Sequence, residues 1–131
     1  FEIDEEDNEI AEKLYDSQWE IPNQGHDYAE HELVGVPDFV KISNDPNRRV
    51  IRVNTPIMMV NLPKAIVGWD ALEILDLRQS VYLRRIPAWI SKLKNLKKIY
   101  IPKSQCYTAD LSIPASFKKK LPNLRIVQPS Y

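Results

Sequence analysis

One short stretch combines histidine with acidic side chains, which are residue types that can bind a metal ion. The only two histidines, His26 and His31, lie in "HDYAEHE" together with Asp27, Glu30 and Glu32. A zinc site needs at least three converging ligands, and two histidines separated by four residues are not a standard zinc spacing. The stretch therefore predicts a polar loop, and we expect no bound metal ion.

Catalytic patterns are also missing from the 131 residues. The single cysteine, Cys106, excludes an intrachain disulfide, and no motif of a nucleophilic cysteine surrounds it, so we interpret it as a packing residue. There is no phosphate-binding glycine loop, no metalloprotease helix and no nucleophile elbow. With 44% hydrophobic residues the chain can bury one core. The sequence predicts a non-catalytic, single-domain protein without a cofactor.

The charged residues are unevenly distributed, although the net charge is zero. Residues 1–33 contain twelve acidic residues and one basic residue, whereas residues 82–131 contain eleven basic residues and one acidic residue. This asymmetry predicts an electrostatic partner for each end, or salt-dependent self-association in which the ends meet. Overall neutrality and the lack of interleaved aromatic residues argue against a nucleic-acid partner. No apolar run reaches the ~18 residues that a transmembrane helix needs.

Two stretches of the second half share one pattern. Residues 62–77, "LPKAIVGWDALEILDL", and residues 86–101, "IPAWISKLKNLKKIYI", each begin with an apolar residue and a proline. Apolar residues follow in both at offsets 4, 7, 10, 13 and 15. A third copy, "IPASFKKKLPNLRIV" at residues 113–127, fits if one residue is inserted between Phe117 and Leu121. The pattern is that of a stacked repeat, because one such unit cannot bury its own apolar side.

Each repeat unit predicts a short helical turn, a loop and a strand. Proline at the second position suits the first turn of a helix, since its missing N–H would be unpaired there. The alternating end of each unit, such as "IYI", is typical of a strand. Alone, residues 86–101 would resemble a basic amphipathic helix for a membrane surface or a partner's groove. Their repetition argues against that interpretation.

The first half is predicted to cap these units. Residues 5–16 have helical spacing, and "DFVKIS" and "RVIRVN" flank the turn sequence "NDPNR", which predicts a β-hairpin. Placing Ile51 and Val53 at the positions of Leu75 and Leu77 gives a period of 24 residues, which continues to Ile99. The last interval, from Ile99 to the next inward residue, would be 28 residues and end at Val127.

Residues 50–129, about 60% of the chain, resemble leucine-rich repeats. The resemblance is carried by "LEILDL…LRRIPAWISKLKNLKKIYI", by "IPASFKKKLPNLRIV", and by "RVIRVN…NLPKAI" as an incomplete first unit. It implies an α/β fold, a short leucine-rich-repeat solenoid with a parallel sheet of about four strands. The N-terminal β-hairpin and an acidic helical segment would precede these strands. The asparagine that usually follows the strand in this family is replaced by Pro56, Ser80 and Ser104, and serine can form a weaker version of its backbone bond.

This resemblance divides the chain into an acidic N-terminal segment, 1–37, and a repeat domain with its hairpin cap, 38–131. It also implies that a protein partner binds the concave face of the strands, where alternation turns one set of residues outward. The predicted partner-binding residues are Arg52, Ile74, Asp76, Arg78, Lys98, Tyr100 and Gln128. Two alternatives remain open: a structural, self-associating cap or spacer, and a regulatory part of a larger enzyme or receptor.

A second candidate surface is formed by basic residues outside the strands: Arg84, Arg85, Lys92, Lys94, Lys97, Lys103, Lys118, Lys119 and Lys120. One interpretation is that these residues form a solvated face that keeps the repeats soluble. The functional interpretation is that they contact an acidic protein, a nucleic acid or an anionic lipid.

Overall fold

The structure of the protein is a computed structural model that describes residues 3–17, 39–102 and 113–127. Its elements are short, and they follow one another as α1 (Glu5–Ser17), β1 (Val40–Ile42), β2 (Val50–Asn54), the 3₁₀ helix η1 (Lys64–Gly68), β3 (Ile74–Asp76), the 3₁₀ helix η2 (Ala88–Lys92), β4 (Lys98–Tyr100), α2 (Ser116–Lys120) and β5 (Arg125–Val127). The fold is therefore of the mixed α/β class that the sequence predicts.

The five strands form one sheet in the order β1-β2-β3-β4-β5. Strand β1 is antiparallel to β2, whereas each later pair is parallel, so the sheet is mixed rather than purely parallel. The predicted hairpin is present as β1–β2. Its turn is stabilised by the Asp45 carboxylate, which accepts hydrogen bonds from the backbone N–H groups of Asn47 and Arg48 and from the Ser43 hydroxyl.

The repeated positions of residues 62–77 and 86–101 are all inside the core. Both units place six apolar side chains there, each at most 6% exposed: Leu62, Ile66, Trp69, Leu72, Leu75 and Leu77 in the first, and Ile86, Ile90, Leu93, Leu96, Ile99 and Ile101 in the second. A 3₁₀ helix follows the proline of each unit, and a strand ends it. Residues 86–101 are thus not one continuous helix.

The third unit is less buried than the first two, and its helix differs. Phe117 and Leu121 are buried, whereas Ile113, Leu124 and Ile126 are partly buried and pack against the core. In η2 the Leu93 N–H donates to the carbonyl three residues earlier, at Ile90, but in α2 the Leu121 N–H donates to the carbonyl four residues earlier, at Phe117. An α-helical turn takes up one more residue than a 3₁₀ turn. That difference accounts for the extra residue that the sequence alignment requires between Phe117 and Leu121.

The predicted register is wrong for two strands, β2 and β5. Val53, and not Ile51, is paired with Leu75. At the other end Ile126, and not Val127, is paired with Ile99. In β2 the apolar residues do not alternate strictly, so their pattern permits more than one register. In the last unit the inward residue Ile126 follows Leu124 by two positions, whereas the corresponding residues of the earlier units are three positions apart. This shorter connection offsets the residue added in α2.

Helix α1 confirms the helix predicted at residues 5–16, and it packs against η1. The Asp4 carboxylate accepts a hydrogen bond from the Asp7 N–H at 3.1 Å and so caps the helix. Trp69 donates its indole N–H to the Asp7 carbonyl at 3.0 Å. The helical layer follows the order α1, η1, η2, α2. The polar loop predicted at residues 26–32 lies outside the described residues.

Candidate functional site: the outer face of the sheet

Alternate residues of the strands face away from the core, and we call the surface that they form the outer face. Two rows of paired residues cross it. One row contains Asn54, Asp76, Tyr100 and Val127, and the other contains Arg52, Ile74, Lys98 and Arg125. Inward residues such as Leu75 and Ile99 are fully buried between them, so the alternation of each strand is set by the core.

At the centre of the outer face the Asp76 carboxylate is held between two arginines. Arg52 Nη2 lies 2.8 Å from Asp76 Oδ2, and Arg78 Nη2 lies 2.6 Å from the same oxygen. Arg78 Nε donates to Asp76 Oδ1 at 3.0 Å, and the Arg78 backbone N–H donates to Oδ1 at 3.1 Å. The Asp76 side chain is only 6% exposed as a result. Its carboxylate therefore positions the two guanidinium groups rather than presenting itself to a partner.

Both arginines also contact the aromatic ring of Tyr100. The guanidinium carbon of Arg78 lies 4.4 Å from the ring centroid, and that of Arg52 lies 5.8 Å from it. These distances are within the range of cation–π attraction. Arg78 is the most accessible of the charged groups in this cluster, with 58% of its side chain exposed, compared with 29% for Arg52. We refer to Arg52, Asp76, Arg78 and Tyr100 as the arginine–tyrosine cluster.

The ionisation of Asp76 follows from these contacts. Burial disfavours its charged form, but the hydrogen bonds from Arg78 and the positive charges of Arg78 and Arg52 outweigh burial, so the pKa of Asp76 lies below its ordinary value. The hydrogen bond to Asp76 in turn raises the pKa of Arg78. The cluster carries one negative and two positive charges at neutral pH, so it can bind an anion. It does not contain a nucleophile next to a general base.

The structure brings most of the predicted site residues together, with two corrections to their positions. Arg52 lies opposite Ile74 and not opposite Asp76, because β2 is shifted by two residues from its predicted register. Its long side chain nevertheless reaches Asp76 diagonally. Ile74 and Lys98 are both half-buried in the same row as Arg52. The predicted site residues Arg52, Ile74, Asp76, Arg78, Lys98 and Tyr100 therefore share one surface.

Gln128, the remaining predicted site residue, lies outside the described residues. With Val127 as the predicted inward residue of the last strand, Gln128 would lie beside Tyr100, but that position is held by Val127. This correction follows from the one-residue shift of β5. Asn54 was not predicted as a site residue, yet its side-chain oxygen accepts a hydrogen bond from Arg52 Nε at 3.3 Å. Correct pairing of β2 with β3 would have identified it, because Asn54 is the partner of Asp76.

A partly buried ion pair between α1 and the residue before β2 was also missed in the sequence. Asp7 has no exposed surface, and its carboxylate accepts hydrogen bonds from Arg49 Nε at 2.9 Å, Arg49 Nη2 at 3.0 Å and the Val50 N–H at 2.8 Å. Arg49 also contacts Asp70. The signal in the sequence is the helical spacing of Asp7 with the apolar residues Ile3 and Leu14, which puts an acidic residue on the buried side of α1.

Serine replaces the asparagine expected after the strand, and at Ser80 it does bond the backbone of the neighbouring unit. Ser80 is fully buried, and its hydroxyl donates to the Pro56 carbonyl at 2.7 Å. It also shares a hydrogen bond with the Thr55 hydroxyl. This contact joins the loops that follow β2 and β3. Ser104 lies outside the described residues.

Eight residues of the second candidate surface are described, and all are exposed: Arg84, Arg85, Lys92, Lys94, Lys97, Lys118, Lys119 and Lys120. Its ninth residue, Lys103, lies outside the described ranges. Among these residues Lys97 forms an ion pair with Glu73 at 3.0 Å. Large apolar side chains are also exposed in the loops after β2 and β3: Ile57, Met58, Val60 and Tyr82. The Arg84 N–H donates to the Val60 carbonyl at 3.1 Å, so the two loops lie side by side.

The part of the chain that the structure describes contains neither a group of converging metal ligands nor a helix that could cross a bilayer. No three histidine, cysteine, aspartate or glutamate side chains converge as metal ligands there; both histidines and Cys106 lie outside it. No helix within residues 3–17, 39–102 and 113–127 is long and apolar enough to cross a bilayer. Comparisons of the chain with protein-family models, curated proteins and solved structures find no match.

Proposed function

We propose that this chain is a short leucine-rich-repeat solenoid and a non-catalytic module that binds a protein partner through the outer face of its sheet. Two observations support the repeat assignment: the same six positions are buried in two tandem units, and a 3₁₀ helix and a parallel strand recur in both. The outer face corresponds to the concave face of that family.

The observation that carries the binding proposal is the arginine–tyrosine cluster. Arginine and tyrosine are enriched among the residues that contribute most to protein–protein affinity. Arg78 is also held in place before binding, by two side-chain hydrogen bonds to Asp76 and by the ring of Tyr100. Ordering a long side chain on binding costs about 0.5–1.5 kcal/mol, and much of that cost is already met in the free protein.

Affinity capture from extracts of the source cells, with Arg78→Ala compared with Arg84→Ala, tests this proposal. Both arginines are exposed, but Arg84 lies outside the strands and outside the cluster. We expect Arg78→Ala to lose a protein that the wild type and Arg84→Ala both recover. Equal recovery by all three proteins, with unchanged thermal unfolding, would exclude the outer face as the binding surface.

Self-association is a second candidate, and the order of the helical layer favours it. Helix α1 packs on η1, which is followed by η2 and α2. The acidic residues Glu5, Glu6 and Glu9 of α1 are exposed before the first unit, while Lys118, Lys119 and Lys120 of α2 are exposed after the second. Such ends could join head to tail. Sedimentation at 20 mM and 500 mM NaCl distinguishes the candidates, because charge-driven oligomers dissociate at high salt. A monomer at both salt concentrations removes this candidate.

A further inference from the structure

We propose that the partner bound by the outer face is an acidic protein segment, whose carboxylates contact the arginine–tyrosine cluster. This inference rests on the proposed function and adds the chemistry of the partner. It follows from the charge of the outer face, from the free edge of the Arg78 guanidinium and from the exposed apolar residues of the loop after β2.

The outer face is positively charged, although the whole chain is neutral. Its two rows contain the basic residues Arg52, Lys98 and Arg125, and Arg78 extends the cluster beyond the end of β3. Asp76 is the one acidic residue of these rows among the described residues. Four positive charges less one negative charge leave a net charge of three on this surface. Electrostatic complementarity therefore favours a negatively charged partner.

The geometry of Arg78 leaves room for a second carboxylate. Its guanidinium carries five N–H donors, and Nε and Nη2 are directed to Asp76. Among the described residues no other acceptor contacts the guanidinium, and 58% of the side chain is exposed. The end of the guanidinium that carries Nη1 and Nη2 can bind a carboxylate of the partner. That carboxylate would accept one hydrogen bond from each nitrogen, in the two-bond geometry that arginine and carboxylates prefer.

The surroundings of the cluster favour a peptide over a nucleic acid. Arg78 covers the ring of Tyr100 at 4.4 Å, so that face of the ring is not free to stack on a base. The loop after β2 exposes Ile57 and Met58, each by more than half. This loop is joined to the end of β3 through the hydrogen bond from Ser80 to Pro56. Exposed apolar side chains on this loop, together with the cationic cluster, suit a peptide that carries both acidic and apolar residues.

Selection from a random peptide library displayed on phage provides the test. Peptides are selected on the immobilised wild-type chain, sequenced, synthesised, and measured by titration against the wild type, Arg78→Gln and Arg84→Gln. The two variants remove the same charge from an exposed arginine, on and off the outer face. We expect the selected peptides to be enriched in aspartate and glutamate. Their affinity should fall at least about tenfold in Arg78→Gln, but less than about twofold in Arg84→Gln.

The outcomes separate this inference from the function on which it rests. Peptides that depend on Arg78 but are not enriched in acidic residues would overturn the acidic partner and leave the outer face as a binding surface. Peptides with equal affinity for both variants would overturn both proposals. A short single-stranded oligonucleotide serves as a competing probe. If it binds more tightly than the selected peptides, with the same loss in Arg78→Gln, the partner is not a protein segment.

Discussion

Replacing Asp7 by alanine is expected to destabilise the fold by about 2–4 kcal/mol. The change removes three hydrogen bonds, two from Arg49 and one from the Val50 N–H. Val50 is fully buried, and an unsatisfied buried N–H costs about 1–3 kcal/mol. The remaining loss is smaller than for a fully buried ion pair, because Arg49 is 28% exposed and keeps its contact with Asp70. Alanine's higher helix propensity offsets roughly 0.5 kcal/mol.

Urea unfolding of the whole chain, followed by tryptophan fluorescence, measures this free energy. Glu9→Ala is the matched control, because Glu9 is exposed on the same helix and its replacement should change the unfolding free energy by less than about 0.5 kcal/mol. A double-mutant cycle of Asp7→Ala with Arg49→Ala should show a coupling of at least about 1 kcal/mol. If Asp7→Ala and Glu9→Ala differ by less than about 1 kcal/mol, the Asp7 carboxylate does not hold α1 to β2 as we infer.

Three further predictions concern single positions. Ser80→Ala should lower the unfolding free energy by about 1–2 kcal/mol in urea, because the Pro56 carbonyl loses a buried donor; an unchanged midpoint would contradict this role. Because the pKa of Asp76 is lowered in the folded state, its ionised form stabilises the fold above about pH 4, and this stabilisation is lost as the pH falls through the folded pKa. The stability difference between the wild type and Asp76→Asn, measured from pH 6 to pH 2, should therefore shrink towards acid pH, and a constant difference would refute the argument. Gly68→Ala should cost less than about 1 kcal/mol, since a Cβ there would lie 2.6 Å from Ile10 Cδ1, the end of a partly buried side chain that can shift. An equal cost in an Ile10→Ala background would show that this contact is not the cause.

The sequence was sufficient for the elements of the two regular units. Leu62 to Leu77 and Ile86 to Ile101 repeat without insertions, so their apolar positions predicted the buried residues one by one. The α1 helix and the β1–β2 hairpin were also predictable, because helical spacing and turn residues are local signals. The face of β3 and β4 that carries Asp76 and Tyr100 followed directly, since side chains in a strand alternate.

The prediction was wrong where a strand's partners, rather than its own pattern, set the register. Strand β2 could place either Ile51 or Val53 opposite Leu75, and its alignment in the sheet decided for Val53. In the last unit, an α-helical turn in α2 absorbed one residue and a shorter connection released it. The connection after Leu124 was therefore one residue shorter than the repeat predicts, and Ile126 took the inward position predicted for Val127.

What the sequence by itself determined is the set of residues that must be buried together, because the apolar repeat can be satisfied only by stacking one unit on the next. Only the tertiary structure decided which polar groups meet. Arg52 of β2 contacts Asp76 of the neighbouring strand β3. Asp7 contacts Arg49, which lies 42 positions away in the sequence. Such contacts depend on register and docking, which a one-dimensional pattern does not encode. The arginine–tyrosine cluster is a product of that register, although each of its residues was already predicted to face outward.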